Sequence, residues 1–262
     1  MQKHHLDWAL ICSFALILVA CGGSAKNGNK DTVAAKGSRP NILLIVADDL
    51  GYTDLGVYGG EIDTPHLDQL AKAGLILTDF HNQAVCGPTR ASILAGTDNR
   101  NAGGAMHQTP NQIGVPGYES HLSRDVVAFP DLLRQSDYNT YFLGKWHLGN
   151  EPDLLPPARG FDRSYALMEG FASHFHDKGR FRPDQLGTYY EDGTFVENLP
   201  EDFFSTDFYT DQLIDYIDAD VGSGKPWFAY LGYTAPHWPL QAPDEYIDKY
   251  KGKFDHGWDA VR

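Results

Sequence analysis

Three apolar runs in this chain end in residues that a hydrophobic core would not choose, and they constrain the fold more than any other feature. NILLIVADD (residues 41–49) closes on two aspartates, NTYFLGKWH (139–147) on a lysine and a histidine, and KPWFAYLGYTAPH (225–237) on a histidine. A continuous apolar run of this kind reads as a strand buried on both faces, as in parallel sheets covered by helices. Helical signals lie between the runs. TPHLDQLAKAG has Thr64 as N-cap, Pro65 at the first helical position and Gly74 as a stop. Pro88 to Leu94 opens as a helix, another is expected from about Pro130, and Phe208, Leu213, Ile217 and Val221 stand near helical spacing. LILTDF (75–80) is a further short strand candidate. Alternating strands and helices predict an α/β fold with a largely parallel sheet. Ligands bind such sheets beyond the carboxyl ends of the strands. Asp48, Asp49, Lys145, His147 and His237 all fall there, so they are expected to converge.

The N-terminal stretch belongs to a different kind of segment. Lys3, His4 and His5 precede an apolar run from Trp8 to Ala20 that is too short to span a bilayer comfortably. It ends in LVAC, Leu18 to Cys21, which resembles a bacterial lipobox. That resemblance implies a signal peptide over residues 1–20, lipidation at Cys21 and an exported protein anchored to a membrane only through lipid. An ordinary secretory signal is the alternative. Residues 22–39 are small and polar, without periodicity, and read as a flexible spacer. Of the three cysteines, Cys12 and Cys21 lie in this region, which leaves Cys86 alone in the mature domain. A lone cysteine in an exported chain has no intramolecular disulfide partner and calls for another reason. The net charge of −14 argues against a nucleic-acid partner, which would need a basic face.

Two adjacent carboxylates at the tip of an apolar strand repel each other unless a cation sits between them. Hard divalent ions prefer such oxygens, so Asp48 and Asp49 are candidate metal ligands. Cys86 falls at or just before a helix N-terminus with Arg90 one turn on, a setting that stabilises an anion. A buried structural thiol and a cysteine hydrolase with His147 or His237 as base both remain open on the residues alone. A thiolate beside hard carboxylates and a hard cation is a poor match, however, and oxygen at position 86 would suit the setting better.

CGPTR (86–90) matches the C-x-P-x-R signature of the sulfatases, and the resemblance extends through ILLIVADDLGY, GKWHLG and TAPHWPLQAP in the family's order. GTDNRNAG, RGFDRSYALMEG and FYTDQLIDYI further resemble the bacterial arylsulfatase branch. Ala95 departs from the threonine usual in the extended signature, and the five-residue core is intact. The resemblance covers about residue 40 to residue 262 and implies an alkaline-phosphatase-like fold. It also implies that a modifying enzyme oxidises Cys86 to 3-oxoalanine (formylglycine), whose hydrate attacks sulfur with one oxygen and expels sulfate through the other. By the same resemblance Asp48, Asp49 and residue 86 hold a divalent cation, Ca²⁺ before Mg²⁺. Arg90 would orient the diol and Lys145 bind the sulfate. His147 would accept a proton from the second hydroxyl, and His237 protonate the leaving alcohol of a small aryl or alkyl sulfate. The family's chain usually continues with a second Asp-Asn metal pair, another lysine and a smaller C-terminal sheet. Residues 40–262 are therefore expected to be the N-terminal part of a catalytic domain. A phosphodiester or phosphonate hydrolase using the same formylglycine, and a non-catalytic lipid-anchored binding protein on this scaffold, are the alternatives.

Overall fold

The computed structural model describes residues 39–104, 112–182 and 184–257. The signal-like run, Cys21 and the spacer up to residue 38 lie outside the described residues. Six strands form one sheet in the order β1-β6-β2-β3-β4-β5. They are β1 (Ile42–Asp48), β2 (Asn139–Lys145), β3 (Arg163–Leu167), β4 (Tyr189–Glu191), β5 (Thr194–Val196) and β6 (Trp227–Pro236). β1, β6, β2 and β3 run parallel, and β4 and β5 add an antiparallel edge.

Strand alternation builds the two core layers. Phe142 on β2 with Phe228 and Tyr230 on β6 face one way, onto Ala91 and Leu94 of α2 (Cys86–Ala95), with α3 (Phe129–Gln135) packed alongside through Phe129 and Leu133. Tyr141, Leu143, Ala229 and Leu231 face the other way, onto Tyr209, Leu213 and Tyr216 of α4 (Ser205–Ala219). Each such side chain removed from water contributes about 1.5–3 kcal/mol, so β2 and β6 are the most strongly held strands. α1 (Pro65–Ala73) begins and ends as the sequence reading expects, although the hydroxyl of Thr64 donates to Asp68 and accepts from the Gly56 amide instead of capping its own helix. α5 (Asp244–Tyr250) follows the β6 loop.

Two expectations fail. LILTDF is not a strand: Leu75, Leu77 and Phe80 are exposed, and among the described residues the segment pairs with no strand, although the outer edge of β1 is open. β1 itself is not buried on both faces, since Ile42, Leu43 and Ile45 are exposed and only Leu44 and Val46 pack on the core. An apolar run reads the same whether one face or both are covered. Two adjustments are smaller. Lys145 is the last residue of β2 and not beyond it, and Val221 lies past the end of α4.

The sheet's centre is drawn close at one point. Gly144 of β2 and Gly232 of β6 are register partners. Gly144 has φ +106°, and a Cβ there would lie 2.0 Å from the Gly232 carbonyl oxygen. A Cβ on Gly232 would in turn meet Arg90 Nη1 at 2.9 Å. Only glycine at both positions lets β2 and β6 approach and admits the Arg90 side chain beneath the strand ends.

Candidate active site

Cys86 is the first residue of α2, and Arg90 lies one turn further along the same helix, buried. Arg90 Nη1 donates to the Lys145 carbonyl at 2.7 Å, and its Nη2 stands 3.7 Å from Asp48 Oδ2. Lys145 Nζ donates to that same Asp48 oxygen. Asp48, Lys145 and Arg90 thus form one buried cluster of one carboxylate and two cations, drawn from β1, β2 and α2. Charges buried this deeply need such partners.

A second group lies beside it. Cys86 Sγ is 3.4 Å from His147 Nδ1. His147 has φ +57°, and its amide bonds the Met168 carbonyl at 3.2 Å. Gly170 leaves room for the ring, since a Cβ there would lie 2.8 Å from His147 Cε1. His237 Nδ1 donates to the Trp238 carbonyl at 2.5 Å, because a carbonyl can only accept. That fixes Nε2 as the nitrogen free to exchange a proton, and it lies 3.6 Å from Asp49 Oδ2. Asp49 is also left-handed, with φ +63°. Non-glycine residues held there cost about 1–3 kcal/mol each and are found where a side chain must be aimed. Cys86, His147 and His237 line one cavity of about 490 Å³, with Phe171, Phe181, Trp238 and Arg180 completing its wall.

His174, unassigned from sequence, is buried behind this wall. Its Nε2 donates to the His237 carbonyl at 3.4 Å, and Ser205 Oγ, at the start of α4, bonds its Nδ1 at 2.7 Å. Burial pushes the His174 imidazole below its ordinary range, which keeps it neutral and suited to accept at one nitrogen and donate at the other.

The structure therefore brings together six of the seven expected residues in two adjoining sets, and Asp49 joins the cavity through His237. As a metal cradle the site is partial. Asp48 and Asp49 supply hard oxygens, which fits a divalent cation in kind. Among the described residues, however, no group of three or more His, Cys, Asp or Glu side chains is arranged to hold a metal ion. The cavity's aromatic wall escaped the sequence reading. Its only signal was the density of rings and charge in FASHFHDKGRF (171–181).

Residues 40–262 match the family described as Sulfatase. The chain belongs to the sulfatase family. It is 43% identical to an uncharacterized sulfatase of Schizosaccharomyces pombe over 87% of this chain and 43% of that protein. Its identity to the arylsulfatase of Klebsiella aerogenes is 40%, over 87% of this chain and 49% of that one. Among solved structures it resembles Ps i-CgsB, crystallised in complex with k-i-k-neocarrahexaose, at 30% identity and a TM-score of 0.67, over 82% of this chain and 49% of that one. The fold is thus the alkaline-phosphatase-like sheet of these sulfatases. The chain spans somewhat under half the length of the curated relatives it matches.

Proposed function

We propose that this chain carries the nucleophile-bearing half of a sulfuric-ester hydrolase acting on aryl or alkyl sulfate monoesters. The observation that carries the reading is the approach of Cys86 Sγ to His147 Nδ1 at 3.4 Å in a cavity that also receives His237. A thiol so placed is the precursor of 3-oxoalanine, made by a separate modifying enzyme, and the hydrated aldehyde offers one oxygen to attack sulfur and a second to expel sulfate afterwards. His147 stands where a base for that second hydroxyl is needed. His237, with Nδ1 committed to the Trp238 carbonyl, delivers a proton from Nε2 to the departing alcohol oxygen. Arg90 holds the backbone of Lys145 and, with Lys145, brings positive charge to the strand ends of a chain whose net charge is −14. Asp48 and Asp49 are the residues that would hold a divalent cation, Ca²⁺ or Mg²⁺, which draws electron density from sulfate oxygens.

The test is peptide mass spectrometry across residues 84–90 after co-expression with a competent modifying enzyme. An aldehyde reactive toward hydrazide probes is expected, together with hydrolysis of 4-nitrophenyl sulfate in preference to 4-nitrophenyl phosphate that disappears in Cys86→Ala. Free thiol alone under those conditions sinks the proposal. We also propose, from the lipobox resemblance of LVAC, an exported protein held to a membrane by lipid at Cys21. Loss of lipid labelling and of membrane fractionation in Cys21→Ser checks it.

A further inference from the structure

The cavity has two unlike walls. One carries Cys86, His147 and His237. The other is a packed set of rings: Phe171 and Phe181 meet edge to face at 4.5 Å, Phe171 and Trp238 at 5.0 Å, and Phe181 stacks on Trp238 at 5.5 Å with 26° between planes. Phe181 is 69% exposed and Trp238 48% exposed. Large rings left open at a cavity mouth are costly in water and mark a surface that another flat group covers. Phe171 ties the two walls together, since the His237 ring lies parallel to it within 13° at 5.7 Å. The rings therefore begin where the group that protonates the leaving alcohol ends.

Arg180 adds a charge to this wall. Its guanidinium lies 5.2 Å from the Phe171 ring centre, and its Nε is buried with no hydrogen-bond partner. No carboxylate forms an ion pair with it among the described residues. The buried cations of the strand-end cluster differ, since Lys145 and Arg90 are both committed to Asp48. A cation left uncommitted on an aromatic wall, in a chain this acidic, is a recognition element for an anion. It stands one ring away from His237, with Phe171 between them.

We infer that the Phe171–Phe181–Trp238 wall and Arg180 form a specificity subsite for the alcohol half of the substrate, a ring that bears a second anionic group besides the scissile sulfate. The inference rests on the proposed function for its place in catalysis, but the binding it asserts does not need turnover. Either an aromatic or a pyranose ring offers this chemistry. A flat ring face covers Trp238 and Phe181, and a carboxylate or second sulfate reaches the Arg180 guanidinium.

The experiment is calorimetric titration of the purified chain, at low and at 0.5 M salt, with four unsulfated probes. These are phenol, 4-hydroxybenzoate, methyl glucoside and glucuronate. In one or both ring series the anionic member should bind about tenfold more tightly than the neutral one, and salt should erase the difference. Binding in the phenol series alone identifies an aryl alcohol, in the glucoside series alone a saccharide, and in both the shared chemistry. Arg180→Gln should abolish the charge preference, and Trp238→Ala should weaken neutral and anionic rings alike. Intact probe binding by the aldehyde-bearing chain without any hydrolysis of 4-nitrophenyl sulfate counts against the proposed function alone. Equal affinity for neutral and anionic rings, a preference that survives in Arg180→Gln, or no binding by any probe overturns the inference.

Discussion

Asp48→Asn removes one charge and strands two. Lys145 is fully buried and Arg90 is 2% exposed, and Asp48 is the carboxylate that compensates both. Asparagine keeps the shape of the side chain but leaves an ammonium and a guanidinium facing each other across a neutral amide. Breaking a buried pair by removing one partner costs about 3–5 kcal/mol. In a domain of this size each kcal/mol lowers Tm by about 2–4 °C, so the expected fall is about 6–20 °C. Lys145→Met is the contrasting change. It removes a cation of similar length and leaves Asp48 facing Arg90 at 3.7 Å, for an expected cost of about 1–3 kcal/mol. The double variant should be less destabilised than the two single losses added together, by about 1 kcal/mol or more, because each removes the other's orphan. Urea denaturation followed by circular dichroism gives all four stabilities. A Lys145→Met variant less stable than Asp48→Asn, or strict additivity in the double variant, would falsify the claim that one carboxylate serves both cations.

Two further predictions concern the histidines. In aryl sulfates of graded leaving-group quality, His237→Ala should lose most activity with the poorest leaving groups, since a good phenolate departs unprotonated, whereas His147→Ala should let sulfated enzyme accumulate; identical leaving-group dependence in both variants would contradict their separate roles. His174 is held below its ordinary pKa of 6.5 by burial, so the unfolded chain takes up a proton before the folded one does. Stability is therefore full above about pH 6.5 and falls as pH drops below it. His174→Gln, which cannot titrate, should flatten that fall in pH-dependent melting curves, and an unchanged slope would assign it to other groups.

The sequence made the strand tips legible because polar residues closing an apolar run have few places to go. Asp48, Lys145 and His237 sit at or just past the ends of β1, β2 and β6, three adjacent parallel strands, which is why residues separated by nearly 190 positions meet. What the sequence concealed follows from what periodicity measures. LILTDF has the composition of a strand but stays unpaired among the described residues beside the open edge of β1, and no single run reports whether a neighbour takes it up. β3, β4 and β5 passed unseen because three to five residues are too few to display a period. The pairing of Cys86 with His147, across 61 positions, and the division of the cations between Asp48 and the aromatic wall depend on side-chain directions. Only the packed fold sets those.

The strand order also sets a clock. Among the described residues β1 comes first in the chain and bonds only β6, the last of the six strands, so Ile42 must wait for Phe228. α2 packs against that same central region through Ala91 and Leu94, beside Phe228 and Tyr230. At ordinary rates of synthesis the stretch from Cys86 to Phe228 takes about 7–30 s to emerge. Through that interval residue 86 lies on a chain whose central strands cannot yet pair, so the modifying enzyme proposed above would have those seconds in which to read CGPTR as an extended peptide. Moving the β6 sequence upstream of α2 by circular permutation would keep every contact of the finished fold and shut that window early.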